Sequence, residues 1–281
     1  MKKYFLTLLF ASAALFAQDD LLNEINNDSV SNEVTSAFKS IKIVNLESTK
    51  LVATGDFYLV VSHRFGYINS GVDELFGLDQ ATTNIKFIYG LKDYFSVQLA
   101  RSTFDKALDF GLKYKLLSQK TNGSPVAIVG FNSLTVNTAL KKAIFPHLTF
   151  NNRLTYVNQL LISRKFNDKL TLQLAPTHFH ENTVLYDKQE NSQFAIGIGG
   201  RYKLSNRISL NLDYVAQLNR HKNSPFKDPI SIGLDWDTGG HVFQLHFTNA
   251  RAMHEAGFLG QTSGNFLKGD IGFGFNLVRV F

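Results

Sequence analysis

Two histidines separated by one residue form the pair whose spacing most directly suggests chemistry. His178 and His180 flank Phe179, and in an extended chain residues at i and i+2 point to the same side. Two imidazoles on one side of a strand can chelate a transition metal. Their phase, however, continues that of Leu172 and Leu174. We therefore expect both rings at the rim of an apolar face, and we predict neither a metal site nor a cofactor.

Nucleophilic catalysis would need a serine, a histidine and an orienting acid that converge on one point. Ser62 and His63 are adjacent, so in a strand they face opposite ways and cannot form a dyad. His254, Glu255 and Ser263 lie in one long loop, and a loop can assemble a site. We predict that the chain is not an enzyme, and a hydrolase built on this loop stays the less favoured alternative.

Glycine-rich stretches are the remaining motif with a chemical reading. Gly197, Gly199 and Gly200 surround Ile198, but no strand-to-helix unit follows them, so no helix N-terminus is available to hold a phosphate. Glycines within strands more often leave space on one face. No nucleic-acid-binding motif is present, and we expect no nucleic-acid partner.

Polar side chains on one face of the predicted strands are the better candidates for a site. His246 shares its face with Gln244 and Thr248, where a lone histidine usually joins a hydrogen-bond network. The predicted lumen-facing residues are Lys86, Lys113, Lys115, Arg201, Asp213, Asp235 and His246. If they line one interior, positive charge predominates there and favours small polar or anionic solutes.

These residues can share one face only if they lie on strands. The sequence predicts strands because apolar residues recur at every second position. Phe194, Ile196 and Ile198 share one side of a segment, whereas Ala195 and Gly197 share the other. One face is apolar and the other is polar or small, which is the pattern of a strand between two environments. Twelve strands are predicted at about 55–65, 82–90, 94–102, 108–117, 125–135, 152–165, 169–180, 193–204, 207–217, 229–236, 241–248 and 269–281.

The connections between these strands alternate between tight and long. Residues 91–93, 205–207 and 237–240 are rich in turn formers, whereas 66–81, 136–151 and 249–268 are long. This alternation is typical of a closed, up-and-down antiparallel transmembrane β-barrel with periplasmic turns and extracellular loops. The fold class is therefore predicted as all-β, with about twelve strands.

The amino-terminal part differs in kind from the barrel. Residues 1–17 have two lysines followed by a short apolar stretch, which indicates a secretory signal peptide. Residues 18–54 are predicted to be a periplasmic segment or a plug, and residues 55–281 the barrel. No cysteine is present, which excludes disulfides and thiolate chemistry. The formal charge falls from +6 to +4 without the two lysines of the signal peptide, so the chain is only mildly basic.

The carboxyl terminus supports the same location. Phe273, Phe275 and Leu277 alternate with smaller or polar residues, and the chain ends on Phe281. A terminal aromatic residue on an amphipathic strand is what the outer-membrane insertion machinery reads, so we expect that machinery and the lipid bilayer as partners. The predicted location is the outer membrane.

Several short motifs, taken together, resemble a known family. They include residues 62–66 (SHRFG), 75–79 (LFGLD), 237–245 (DTGGHVFQL) and 272–276 (GFGFN). In combination, from about residue 38 to the end, they resemble the β-barrel family catalogued as domain of unknown function 5777, found in Bacteroidetes-type bacteria. The resemblance implies an outer-membrane barrel and carries no activity.

Two functions therefore stay open besides the hydrolase. The first is a narrow, porin-like pore or a binding cavity for small polar or anionic solutes. The second is a structural or ligand-binding surface barrel that acts through its long extracellular loops. Twelve strands lie between eight, where side chains fill the interior, and sixteen, where a water channel is open, so the sequence leaves open whether the lumen is plugged.

Overall fold

The barrel in the computed structural model, which describes residues 33–34 and 37–281, contains twelve β-strands. The predicted signal peptide, residues 1–17, lies outside the described residues. One short α-helix of the described residues, α1 (Glu255–Gly260), lies between the last two strands and is followed there by a 3-10 turn (Phe266–Lys268). The strands are β1 (Phe57–Tyr67), β2 (Ala81–Lys92), β3 (Phe95–Ser102), β4 (Leu108–Leu117), β5 (Ala127–Val136), β6 (Leu154–Lys165), β7 (Leu170–Glu181), β8 (Ser192–Lys203), β9 (Ile208–Gln217), β10 (Ile230–Asp237), β11 (His241–Thr248) and β12 (Gly272–Val280).

The sheet closes on itself. Each strand pairs antiparallel with its neighbours in sequence, and β1 pairs with β12 in a register that sets Val60 opposite Val278. Closure satisfies the backbone groups that an edge strand would expose, as a barrel in lipid requires. The predicted closed, twelve-stranded antiparallel barrel is therefore confirmed. Among the described residues, no helix is long and apolar enough to cross a membrane.

The two faces of each strand lie in the environments that their period predicts. On β8, Phe194 and Ile198 are exposed on the outside, whereas Ala195, Gly197 and Arg201 are buried inside. Burial alternates in the same way along β1, β7, β9 and β11. The outer surface is thus apolar, as a lipid-facing surface must be.

Tight turns and longer loops lie at opposite rims. The connections 93–94, 166–169, 204–207 and 238–240 are short, and they share their rim with both ends of the barrel. We call this the turn rim, and the opposite one the loop rim. At the turn rim, the backbone N–H of Phe281 donates to the carbonyl of Phe57 at 2.9 Å. Recognition of Phe281 by the insertion machinery stays a prediction.

The lumen is filled from both rims. Residues 38–52, which we call the plug hairpin, enter from the turn rim, where Lys39 contacts Asp237 at 2.9 Å. The final loop, residues 249–271, folds inward from the loop rim and buries α1. The expectation that residues 249–268 form a surface loop is therefore wrong, because Ala256, Phe258 and Leu259 find apolar partners inside the barrel.

The inner surface has two unlike parts. The apolar wall belongs to β5–β9 and consists of Val129, Phe131, Val157, Leu161, Ala175, Phe179, Ala195 and Val215, which pack against the plug hairpin and α1. The polar wall belongs to β1–β4, β11 and β12 and includes Ser62, Arg64, Asn84, Lys86, Gln98, Lys113, Gln244, His246 and Asn276, all of them buried. The plug hairpin lies between the two walls.

Candidate functional site

The plug hairpin turns inside the lumen at Val44 and Asn45. The backbone N–H of Ile43 donates to the carbonyl of Leu46 at 2.8 Å, and Lys42 and Glu47 form an isolated antiparallel bridge. The turn leaves inward-pointing N–H groups that need acceptors, because buried backbone donors are seldom left unpaired. The barrel wall therefore has to supply an acceptor for these N–H groups.

Asp213 of β9 is that acceptor. One of its carboxylate oxygens accepts hydrogen bonds from the backbone N–H groups of Val44, Asn45 and Leu46 at 3.1, 2.7 and 2.9 Å. Three N–H groups around one oxygen form the kind of concavity that binds anions. The side-chain amide of Asn45 adds a donor bond to Ser231 at 2.8 Å. Asp213 thus fixes the tip of the hairpin rather than lining an open passage.

Glu47 is the centre of the charges in the lumen. Its side chain is fully buried, and its carboxylate contacts the ammonium groups of Lys113 at 2.6 Å, Lys86 at 3.0 Å and Lys42 at 3.5 Å. Burial alone would raise the pKa of the Glu47 carboxyl, but the three lysines outweigh burial and hold that pKa below its usual range. Glu47 is therefore an anion that the wall lysines bind from the inside of the barrel.

The final loop meets the plug hairpin at Lys42. The ammonium group of Lys42 pairs with Glu255 at the start of α1 and lies 5.4 Å from the centre of the Phe258 ring. Burial raises the pKa of the Glu255 carboxyl to about 7, and the attraction of Lys42 only partly opposes this shift. The two obstructing segments thus hold each other as well as the wall.

Space for the hairpin comes from the glycines of β8. A Cβ atom at Gly197 would lie 2.9 Å from Leu46, and one at Gly199 would lie 2.5 Å from Ile43. Neither distance is tolerated without a shift of the hairpin side chain. The sequence predicts free space beside these glycines. In the structure, Leu46 and Ile43, the two apolar anchors of the hairpin, occupy that space.

The predicted lumen-facing residues divide between these roles. Lys86 and Lys113 bind Glu47, Asp213 binds the hairpin tip, and Arg201 donates to Ser209 at 3.0 Å and to the carbonyl of Ala37 at 3.4 Å. Six of the seven are buried inside the barrel: Lys86, Lys113, Arg201, Asp213, Asp235 and His246. The seventh, Lys115, lies near the turn rim and is half-buried. Asp235 accepts from Gln244 at 2.8 Å.

Several residues that take part in the contacts inside the lumen were not predicted. Arg64 follows Ser62 at a spacing of two, so its inward direction was readable from the strand period. Glu47, Lys42 and Glu255 lie in segments without any strand period, and only the closed fold brings them together. Buried carboxylates of Glu47, Asp109, Glu181 and Glu255 share the lumen with the buried basic groups in this conformation, and the predominance of positive charge in an open lumen stays a prediction.

The histidines do not form the alternative sites considered for them. His178 and His180 lie on the outer face of β7, where His178 packs on Phe194 with 5.1 Å between ring centroids. His254 accepts from the backbone N–H of Gly257 at 3.1 Å and faces Asp105 at 3.8 Å, whereas exposed Ser263 contacts Tyr67 at 3.2 Å. Ser263 and His254 thus have different partners in this conformation.

A cavity remains between the plug hairpin and the polar wall. Its basic side chains are Lys42, Arg64 and Lys86, and in the described part of the chain no acidic side chain lines it. Its other lining residues are Ser40, Ile41, Val60, Ser62, Asn84, Gln244, Met253, Asn276 and Val278. Three cations around one small space make this cavity the electrostatically distinct part of the lumen.

Comparison with known proteins places this architecture. The family model described as a membrane bound beta barrel domain, domain of unknown function 5777, matches residues 38–281. No curated protein matches the chain. The solved NanC porin has a TM-score of 0.50 at 8% identity over 80% of this chain and 98% of its own. The KdgM porin has a TM-score of 0.48 at 7% identity over 80% and 98%. At these identities the likeness concerns the fold.

Proposed function

Because the chain belongs to the family of membrane-bound β-barrel domains catalogued as domain of unknown function 5777, its barrel lies in the outer membrane. We propose that it is a pore for small polar solutes, closed by the plug hairpin from the turn rim and by the final loop from the loop rim. The observation that carries this proposal is the inner face of the wall. Each of the twelve strands buries at least one polar side chain there. A wall of this kind can be hydrated once the hairpin leaves.

The bonds that hold the hairpin also suit a removable plug. Its tip is held by hydrogen bonds to Asp213 and Ser231, and its centre by the ion pairs of Glu47. Water and dissolved ions can replace such contacts, and buried ion pairs contribute little net stability compared with an apolar filling.

The same ion pairs support a preference for anionic solutes. When the hairpin leaves, Glu47 leaves with it, and Lys86 and Lys113 lose the carboxylate that neutralises them. These two lysines and Arg64 lie on the inner face of β2, β4 and β1. Within strands β1–β4, all of which the structure describes, Asp109 is the single buried acidic residue. The open lumen is then basic along this side, which attracts anions.

A disulfide lock tests the proposal. Asn45 of the hairpin tip donates to Ser231 of β10 at 2.8 Å, and the chain has no cysteine of its own. We expect the N45C/S231C double variant to be silent in planar bilayers when oxidised and to conduct after reduction, as the unmodified protein does. Each single variant should conduct under both conditions. Conductance that the oxidised lock leaves unchanged, or silence of the unmodified protein at every voltage and salt concentration, contradicts the proposal.

A specific observation favours a second function, that of a surface barrel. The first long loop exposes five apolar side chains at the loop rim, those of Ile68, Val72, Leu75, Phe76 and Leu78. Exposed apolar groups that cluster often mark a binding surface. This function predicts silence in every recording, including that of the reduced lock.

A further inference from the structure

The cavity beside the plug hairpin contains a buried guanidinium without an acidic partner. Arg64 is 2% exposed, and its hydrogen bonds go to neutral acceptors: the carbonyl of His63, Asn276 Oδ1 and Asn45 Oδ1, each at 3.0 Å. Among the described residues no carboxylate lies within ion-pair distance of Arg64. The carboxylate of Asp213 acts on Arg64 only from beyond contact distance. A buried cation without a contacting counter-ion is costly, so this position favours an anion.

Arg64 also has a donor to spare. Its Nε atom is buried and has no hydrogen-bond partner. Beside it, Gly274 leaves the room that Arg64 Cδ and His246 Nε2 both occupy, since a Cβ at Gly274 would meet them. Both ring nitrogens of His246 are likewise buried without a partner. In native proteins a bound water molecule or ion is one way in which polar groups of this kind are satisfied.

Lys86 extends the positive charge towards the plug hairpin. Its ammonium group and that of Lys42 share the carboxylate of Glu47, and both residues line the cavity with Arg64. Glu47 itself does not line the cavity. The lining of the cavity therefore combines basic groups with neutral side chains such as Ser62, Asn84 and Asn276.

We propose that this cavity is a binding site for a small oxyanion, a carboxylate or a phosphate, held by the Arg64 guanidinium with the Lys86 ammonium group. Guanidinium groups recognise both chemistries through several N–H donors in one plane. This inference rests on the proposed function. It adds the chemical class of the solute and one position along the pore at which the solute binds. Occupancy of the site does not itself require conduction.

Calorimetric titration of the purified full-length protein in detergent tests the site. The probes are inorganic phosphate, acetate and chloride at constant ionic strength, with glucose as a neutral probe. We expect saturable binding of phosphate or acetate, at least tenfold weaker in Arg64→Gln and Lys86→Gln, and no binding of glucose. Arg207→Gln, at an exposed position in a turn, is the matched control and should bind as the unmodified protein does.

The outcomes separate this inference from the proposed function. Absence of saturable binding, or equal affinity in Arg64→Gln, overturns the oxyanion site even if the lock experiment shows conduction. Binding that depends on Arg64 in a protein that never conducts retains the site and overturns the pore. If Arg64→Gln does not fold, Arg64→Lys keeps the charge but removes the planar donors, and it should weaken phosphate binding without abolishing it. Undiminished binding by this variant would exclude the guanidinium as the holding group.

Discussion

The apolar wall and the polar wall hold the same hairpin in different ways. On β8, Gly197 and Gly199 receive Leu46 and Ile43, and each fully buried aliphatic side chain of this kind stabilises by about 1.5–3 kcal/mol. On β2 and β4, Lys86 and Lys113 hold Glu47, a contact that is near neutral as a whole. The apolar wall therefore supplies affinity for the hairpin, whereas the polar wall decides whether its charges are matched.

The largest effect that would test this difference between the two walls is expected from replacing Glu47. Glu47→Gln keeps the shape but leaves Lys86 and Lys113 without their carboxylate, and removal of one partner of a buried pair costs about 3–5 kcal/mol. We expect the hairpin to leave the lumen. The measurement is maleimide labelling of a Val44→Cys reporter at the buried tip, which should become several hundredfold faster.

The control for Glu47→Gln is Glu190→Gln, in an exposed loop, which should leave labelling slow. An unchanged labelling rate in Glu47→Gln, in a protein that has folded, would show that the polar wall does not hold the hairpin. The stated division between the two walls would then be lost.

A smaller break is expected on the apolar wall. Gly199→Val places a side chain where Ile43 lies, and overpacking of this kind costs about 1–3 kcal/mol. We expect the Val44→Cys reporter to label about tenfold faster. Gly200→Val makes the same change on the outer face of β8, where the flexible end of Leu172 can yield, and it should leave the rate unchanged.

The rescue of Gly199→Val sharpens the assignment. Adding Ile43→Ala removes the overlapping side chain, so the double variant should label more slowly than the sum of the two single effects predicts, because residues in contact are not additive. Strict additivity would mean that Ile43 does not occupy the space at Gly199.

The barrel was predictable from sequence because lipid and lumen impose opposite demands on alternate residues. Alternation along β8 is enough to predict that Phe194 faces outward and Arg201 inward, and the tight turns identify one rim. The plug hairpin was not predictable in the same way, because residues 38–52 meet many strands at once and have no single period. Glu47 is near Lys86 and Lys113 only after closure. Parity shows that a lysine points inward, but its partner lies in another segment.

The smallest expected effect concerns the final loop, which contacts the hairpin between the two walls. Burial raises the pKa of the Glu255 carboxyl to about 7, above its value in an undocked loop. A raised pKa means that docking is favoured by the protonated form, so this contribution is complete below about pH 4.5 and is lost as the pH rises through about 7. We expect the final loop to loosen modestly between pH 5 and pH 8.5, while Glu47, whose pKa is lowered, stays charged and keeps the hairpin in place.

A spin label at Ser263→Cys, an exposed position in the final loop, measures this effect. Its spectrum should become more mobile at pH 8.5 than at pH 5, and Glu255→Gln should remove the difference because glutamine does not titrate. The Val44→Cys tip, carrying the same label, should give the same spectrum at both pH values. If the tip and the loop loosened together, the final loop and the hairpin would be one unit, and Lys42, which joins Glu47 to Glu255, would couple them.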